Sequence, residues 1–319
     1  MFRSALVSLI LTASAFAEPL AEAAQRGGGG GSAALREAIQ LMSDGRTPDA
    51  LAAVRRELEA NPRSMPAANL LDVLGATAEA RRVFQRAIDD APDPAARAAA
   101  QRAMAMSYAF DGDCANTTRY EEAVIAYWAT REQAEPQNAF YQQGEMANEA
   151  ARVCIDAGDL DAAERLYRRG AELGLKEPGN RTHPKSLWDF RLAHALGRLA
   201  ARRGDSAEAQ RQITAARRAL DADPAMAAAQ ERFFPYLVGY VALYTNDLGT
   251  AESELTRALQ IPGNQSDPFM HALLGMTCER RGDTARARTL FQRAYDLATA
   301  HNPPAAFTRP FARARLNLR

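Results

Sequence analysis

Three groups of side chains in this sequence could carry chemistry: four histidines, three cysteines and a strip of arginines. His183 precedes a proline, His301 lies at a helix end, and His194 and His271 fall in separate segments, so no two have the spacing of a metal-binding helix. No Gly-x-Ser-x-Gly elbow occurs, and the acidic residues are spread over helix faces instead of converging. Gly27 to Gly31 form an unbroken glycine run, but no strand precedes it and no Gly-Lys-Ser/Thr follows, as a phosphate-cradling loop requires. These residues assemble neither a nucleophile with its base nor a metal or cofactor site. The expectation is therefore a protein that is not an enzyme and uses no cofactor or metal.

Binding chemistry is better supported. Arg191, His194, Arg198 and Arg202 follow steps of three and four, which places them on one face of a helix as a basic strip. The same spacing puts Phe233, Tyr236, Tyr240 and Tyr244 on an aromatic strip, followed by Phe269, Met276 and Arg280 in the next segment. Asn148 and Arg152 belong to a mixed strip with Glu145 and Asp156. A cationic strip beside an aromatic one suits a partner, protein or peptide, that offers acidic groups together with aromatic or apolar ones. On this reading Arg198 and Tyr240 touch the partner and are not needed for folding.

Cys154 and Cys278 occupy positions where small apolar residues pack, whereas Cys114 stands in the polar stretch from Asp111 to Thr118. An oxidising compartment would favour joining Cys114 to Cys154. The N-terminus points to such a compartment. Arg3, the apolar stretch Ala5 to Leu11 and Ala15-Phe16-Ala17 make residues 1–17 read as a cleavable signal peptide without a lipid-attachment cysteine. The apolar stretch is shorter than the roughly 20 residues that span a bilayer, so stable membrane insertion is not expected. The expected location is periplasmic or secreted. Residues 18–32 then serve as a glycine-rich tether.

The elements that position the strips emerge from a repeat. With 47% hydrophobic but only 7% aromatic residues and abundant alanine, the composition favours packed helices over sheets. The 39 basic and 39 acidic residues cancel, which leaves no field for nucleic acid. Aligning the chain on Gly45, Gly75, Thr118, Gly158, Gly204, Asn246 and Gly282 puts an alanine five residues later in each unit, from Ala50 to Ala287. Nine residues after each anchor comes a larger side chain: Val54, Phe84, Tyr127, Tyr167, Ile213, Leu255 or Phe291. Leu196-Gly197, Val238-Gly239 and Leu274-Gly275 precede the last three anchors by a common interval. Each unit reads as a helical hairpin, with a left-handed residue at the turn and, in four units, Asp159, Asp205, Asp247 or Asp283 capping the second helix.

These residues resemble the tetratricopeptide repeat family, most completely from Leu274-Gly275 through Gly282-Asp283, Ala287, Phe291 and Ala294. Thr118 and Gly170 depart from the family pattern. The resemblance implies an all-α, right-handed superhelical solenoid of about seven helix-turn-helix repeats over residues 33–304, with 305–319 as a C-terminal capping helix. It also implies a protein-interaction scaffold that holds a peptide in its concave groove. The alternative is a small-ligand-binding protein or a regulatory subunit of an exported enzyme, which would show a closed pocket between hairpins and not an open groove.

Overall fold

The computed structural model describes residues 32–318. The signal segment 1–17, and the tether apart from Ser32, lie outside the described residues. Ser32 caps the first helix by accepting a hydrogen bond from the Leu35 amide at 3.1 Å.

Among the described residues every regular element is helical, and most pair as hairpins. Hairpin 1 is α1 (Ala33–Ser43) with α2 (Thr47–Ala60), hairpin 2 is α3 (Met65–Val73) with α4 (Thr77–Asp89), and hairpin 3 is α5 (Pro94–Phe110) with α6 (Cys114–Ala129). Hairpin 4 joins α7 (Pro136–Ala157) to α8 (Leu160–Gly174), and hairpin 5 joins α9 (Lys185–Arg202) to α10 (Ser206–Ala222). A short helix α11 (Pro224–Gln230) and a 3-10 turn lead to hairpin 6, α12 (Phe234–Tyr244) with α13 (Leu248–Gln260). Hairpin 7 is α14 (Pro268–Arg280) with α15 (Thr284–Leu297), and α16 (Pro303–Leu316) ends the chain. The described residues thus form an all-α solenoid of helix-turn-helix hairpins, as the spacing predicts.

The turn code operates physically. Gly45, Gly75, Gly158, Gly204, Asn246 and Gly282 all have left-handed backbones, with φ between 68° and 90°. Asp159, Asp205, Asp247 and Asp283 each accept a backbone N–H at 3.0 to 3.1 Å or 2.9 Å from the first turn of the helix that follows. Alanines 50, 80, 163, 209, 251 and 287 are all buried, and so are the large residues four positions on. A β-carbon on Gly239 would meet Leu255 Cγ at 2.7 Å, and one on Gly275 would meet Phe291 Cε1 at 2.6 Å. Those glycines let the paired helices approach until the large residue of the second fills the first.

The third anchor is corrected by six residues. The turn is at Gly112 (φ +67°), not at Thr118, and Asp113 caps α6 through the Asn116 amide at 2.9 Å. Thr118 lies within α6. Counted from Gly112, the small and large places fall on Thr117 and Glu121, both buried, while Ala123 and Tyr127 are only half-buried. A glutamate at the large place conceals the repeat from a search for apolar residues. Gly170 also has a reason: an added β-carbon would come within 2.6 Å of Asn148 Oδ1 and 2.9 Å of the Gly144 carbonyl.

The last helix does more than cap the stack. Besides α15, it packs on α14, α5, α7 and α3, the first helices of hairpins 7, 3, 4 and 2. The first helices line the inner face of such a stack, so α16 lies across the concave side and brings the chain's end back to its beginning. Asn302 caps it through the Ala305 amide, and buried Arg309 donates to the Tyr295 and Ala298 carbonyls that end α15, each at 3.2 Å. His301 Nε2 meets Asp72 Oδ2 at 2.8 Å, across 229 residues of sequence. Its ring rests 5.7 Å from Phe84 and 5.6 Å from Phe110. Ala298, Ala305 and Ala306 share one apolar cluster with Leu71, Leu74, Phe84 and Phe110.

Candidate functional site

Closure by α16 leaves a chamber of about 110 Å³ between it and the first helices of hairpins 4 to 7. α7 contributes Asn148, Arg152, Ile155 and Asp156, and α9 contributes Phe190, Arg191, His194 and Arg198. Tyr236 and Tyr240 come from α12, and Asp267 with Phe269 and Met270 from the start of α14. Pro303, Pro304 and Phe307 of α16 form the cover, Phe307 meeting Phe269 edge to face at 5.8 Å. An adjoining cavity of about 230 Å³ is lined by Asp156, Arg202, Tyr244, Phe269, Met276 and Phe311 among others.

Arg198 is the central charge. It is only 8% exposed, donating from Nη1 to the Tyr236 hydroxyl at 3.2 Å, from Nη2 to the Tyr167 hydroxyl at 3.1 Å, and weakly from Nε to the His194 carbonyl at 3.4 Å. The guanidinium also lies 5.6 to 5.8 Å from the ring centres of Tyr167, Tyr236 and Tyr240. Burial pushes Tyr236 up to about 12 and Tyr240 well above the ordinary phenol value. Both are therefore neutral at physiological pH and cannot balance a guanidinium, which stays charged.

The neighbouring charges are differently placed. Arg191 Nη1 bonds Glu145 at 2.5 Å, with both side chains largely covered. Burial raises the Asp156 carboxyl to about 6 against the opposing pull of Arg202. Asp267, raised by burial, caps α14 through the Phe269 and Met270 amides at 2.8 and 3.0 Å, and Arg152 counters part of that rise. Burial first, then the charge of Arg198, drives His194 well below the usual imidazole range. It is neutral, held at the Phe233 backbone, and its Nε2 is buried without a hydrogen-bond partner.

Of the residues singled out by spacing, Asn148, Arg152, Arg191, His194, Arg198, Tyr236, Tyr240 and Phe269 converge on the chamber. Arg202, Tyr244 and Met276 line the adjoining cavity. Arg280 stands apart, tying hairpin 7 to hairpin 6 through the Leu243 carbonyl and Asn246 Oδ1 at 2.6 and 2.8 Å. The inner strips are not solvated faces: Arg198 and Tyr240 are both buried. Tyr167 hid from sequence reasoning as a packing residue at the large place, although its hydroxyl, unique with Tyr127 among those places, was a signal. Asp267 and the cover residues of α16 gave none.

Cys114, the first residue of α6, is joined to Cys154 of α7, with Cα atoms 4.7 Å apart, and Cys278 is buried and free. The bridge fixes the helix that carries Arg152 and Asp156. Among the described residues no group of three or more His, Cys, Asp or Glu side chains could hold a metal ion, and no helix is long and apolar enough to cross a membrane.

No protein-family model matches the chain, and no curated protein matches it. Among solved structures, it is similar to a tetratricopeptide repeat protein from Parabacteroides merdae at 13% identity and a TM-score of 0.46, over 89% of this chain and 96% of that one. It is also similar to the tetratricopeptide-repeat domain of P58(IPK) at 13% identity and a TM-score of 0.32, over 89% of this chain and 88% of that one. The fold assignment rests on the hairpin geometry described above.

Proposed function

We propose that the protein is an exported, non-catalytic binding protein that takes a small molecule into the chamber covered by its last helix. The observation that carries this reading is the cover itself. Pro303, Pro304 and Phe307 lie where an extended peptide would have to run along the first helices, leaving a partly covered space with a few convergent polar groups. Native mass spectrometry of protein purified from its own envelope or medium tests it. A co-purifying molecule that is lost when Met270→Trp fills the chamber is the expected result; an empty chamber with a protein partner bound instead would overturn it.

The second reading, a scaffold for a protein or peptide with acidic and apolar groups, draws on a more open hollow at hairpins 2 to 4. That hollow, of about 590 Å³, is lined by Ala99, Arg102, Tyr127, Trp128 and Met146 among others. Pull-down with Trp128→Ala as the control separates this reading from the first. The Cys114–Cys154 bridge supports export, since such bonds persist in oxidising compartments. Mature protein beginning at Glu18, with one free thiol, is the expected outcome of N-terminal sequencing and thiol mapping.

A further inference from the structure

A buried cation normally has an anion beside it, because removing a charge from water is costly unless a counter-charge compensates. Around the chamber three arginines follow that rule: Arg191 is paired with Glu145, while Arg202 and Arg152 have the carboxylates of Asp156 and Asp267 within electrostatic reach. Arg198, the most central, has phenols and ring faces instead, and no carboxylate pairs with it among the described residues. Its three hydrogen bonds also leave two of the five guanidinium N–H donors over. On the same wall His194 Nε2 is an unpartnered acceptor in a side chain 9% exposed. Two neighbouring polar groups are thus unfinished in complementary ways, one lacking an anion and one lacking a donor.

The rest of the wall selects the ligand's body. Phe190, Phe233, Tyr236, Phe269 and Phe307 offer aromatic surface, and the volume of about 110 Å³ is of the order of the roughly 150 Å³ cavity that accepts a benzene. We propose that the chamber binds a small free monocarboxylate with a single-ring or comparably compact apolar body, its carboxylate completing Arg198 and a hydroxyl or N–H on it satisfying His194. This inference rests on the chamber being the binding site. The proposal commits to a free metabolite and not a peptide terminus, since a volume of about 110 Å³ has room for little more than one ring and Pro303, Pro304 and Phe307 stand where a peptide backbone would run.

Isothermal titration calorimetry on the mature protein decides it, with benzoate as the probe, benzamide as its neutral counterpart, and a tripeptide ending in phenylalanine with a free carboxylate. Benzoate should bind one to one, at least tenfold tighter than benzamide, and at least tenfold tighter to the parent than to Arg198→Met. Arg198→Lys, which keeps the charge but not the fork, should fall between. If Arg198→Met does not fold, the benzoate-to-benzamide ratio on the parent protein and the Arg198→Lys variant still decide. Equal binding of benzamide and benzoate, both abolished by Met270→Trp, would overturn the carboxylate inference and leave the chamber reading standing. Binding that Met270→Trp does not disturb would overturn both. Tighter binding of the tripeptide than of benzoate would overturn the assignment to a free metabolite, and no binding by any probe would overturn the proposal.

Discussion

Hairpins 2 and 3 and hairpins 5 and 6 are built on the same left-handed turn, yet the last helix meets their inner faces differently. Against hairpins 2 and 3 it packs closely at its first turn: Ala305 and Ala306 enter the cluster of Leu71, Leu74 and Phe84, and buried Asp72 is met by His301 and Ser107. Toward hairpins 5 and 6 the inner face carries Arg198, His194 and Tyr236, and there the helix stands off to leave a chamber. The difference shows how one repeat can serve two ends. Small apolar inner residues invite the chain's own helix, because burying them is favourable at close contact. Long polar ones keep the helix away and retain unfinished hydrogen bonds.

That contrast predicts unequal responses to substitution. The largest should come at that close packing, where Phe84→Ala removes a fully buried ring that touches both its own hairpin and His301, destabilising by about 4 kcal/mol in chemical denaturation. Next, His301→Ala should cost about 2 kcal/mol by leaving Asp72 buried with only the Ser107 hydroxyl as its partner. A loss as small as a surface substitution would mean that this packing is not formed. At the chamber, Arg198→Met should leave the melting temperature of the unliganded protein unchanged or higher, since an apolar side chain relieves an uncompensated buried charge. A marked fall would make Arg198 a structural residue of the hairpins.

The smallest effect concerns pH. Asp156 faces both cavities, and burial lifts its carboxyl to about 6, above the roughly 3.9 of an unfolded chain. Its contribution to stability is therefore complete below about pH 4 and is lost as pH rises through about 6. Asp156→Asn should melt together with the parent at pH 4 and slightly above it at pH 7.5. Melting curves that separate at pH 4 and converge at 7.5 would reverse that assignment.

Much of this architecture is legible in the sequence, because turns and packing pairs are local. Six of the seven anchors are left-handed turns, and Gly239 and Gly275 show by contact why glycine recurs inside the first helices. The third turn was legible too: Gly112-Asp113 repeats the Gly-Asp of three other units, but Glu121 at the large place masked it. The strips of Arg191, His194, Arg198 and Arg202 could be read by helical spacing, whereas their burial could not. Burial depends on how far the stack curves and on where residues 303–316 land, and no pattern inside that segment announces a partner more than two hundred residues away.

The central claim is that α16 is packed across the inner face and is not a frayed terminal helix, and amide hydrogen exchange on the intact protein tests it most directly. Protection across Ala306 to Leu316 should match that of α14 and α15, because the helix is held by Arg309, His301 and the packing of its alanines. His301→Ala should lower protection in α16 and in α3 together. Exchange of α16 at the rate of an unpacked terminus, with α3 unaffected by the substitution, would contradict the account.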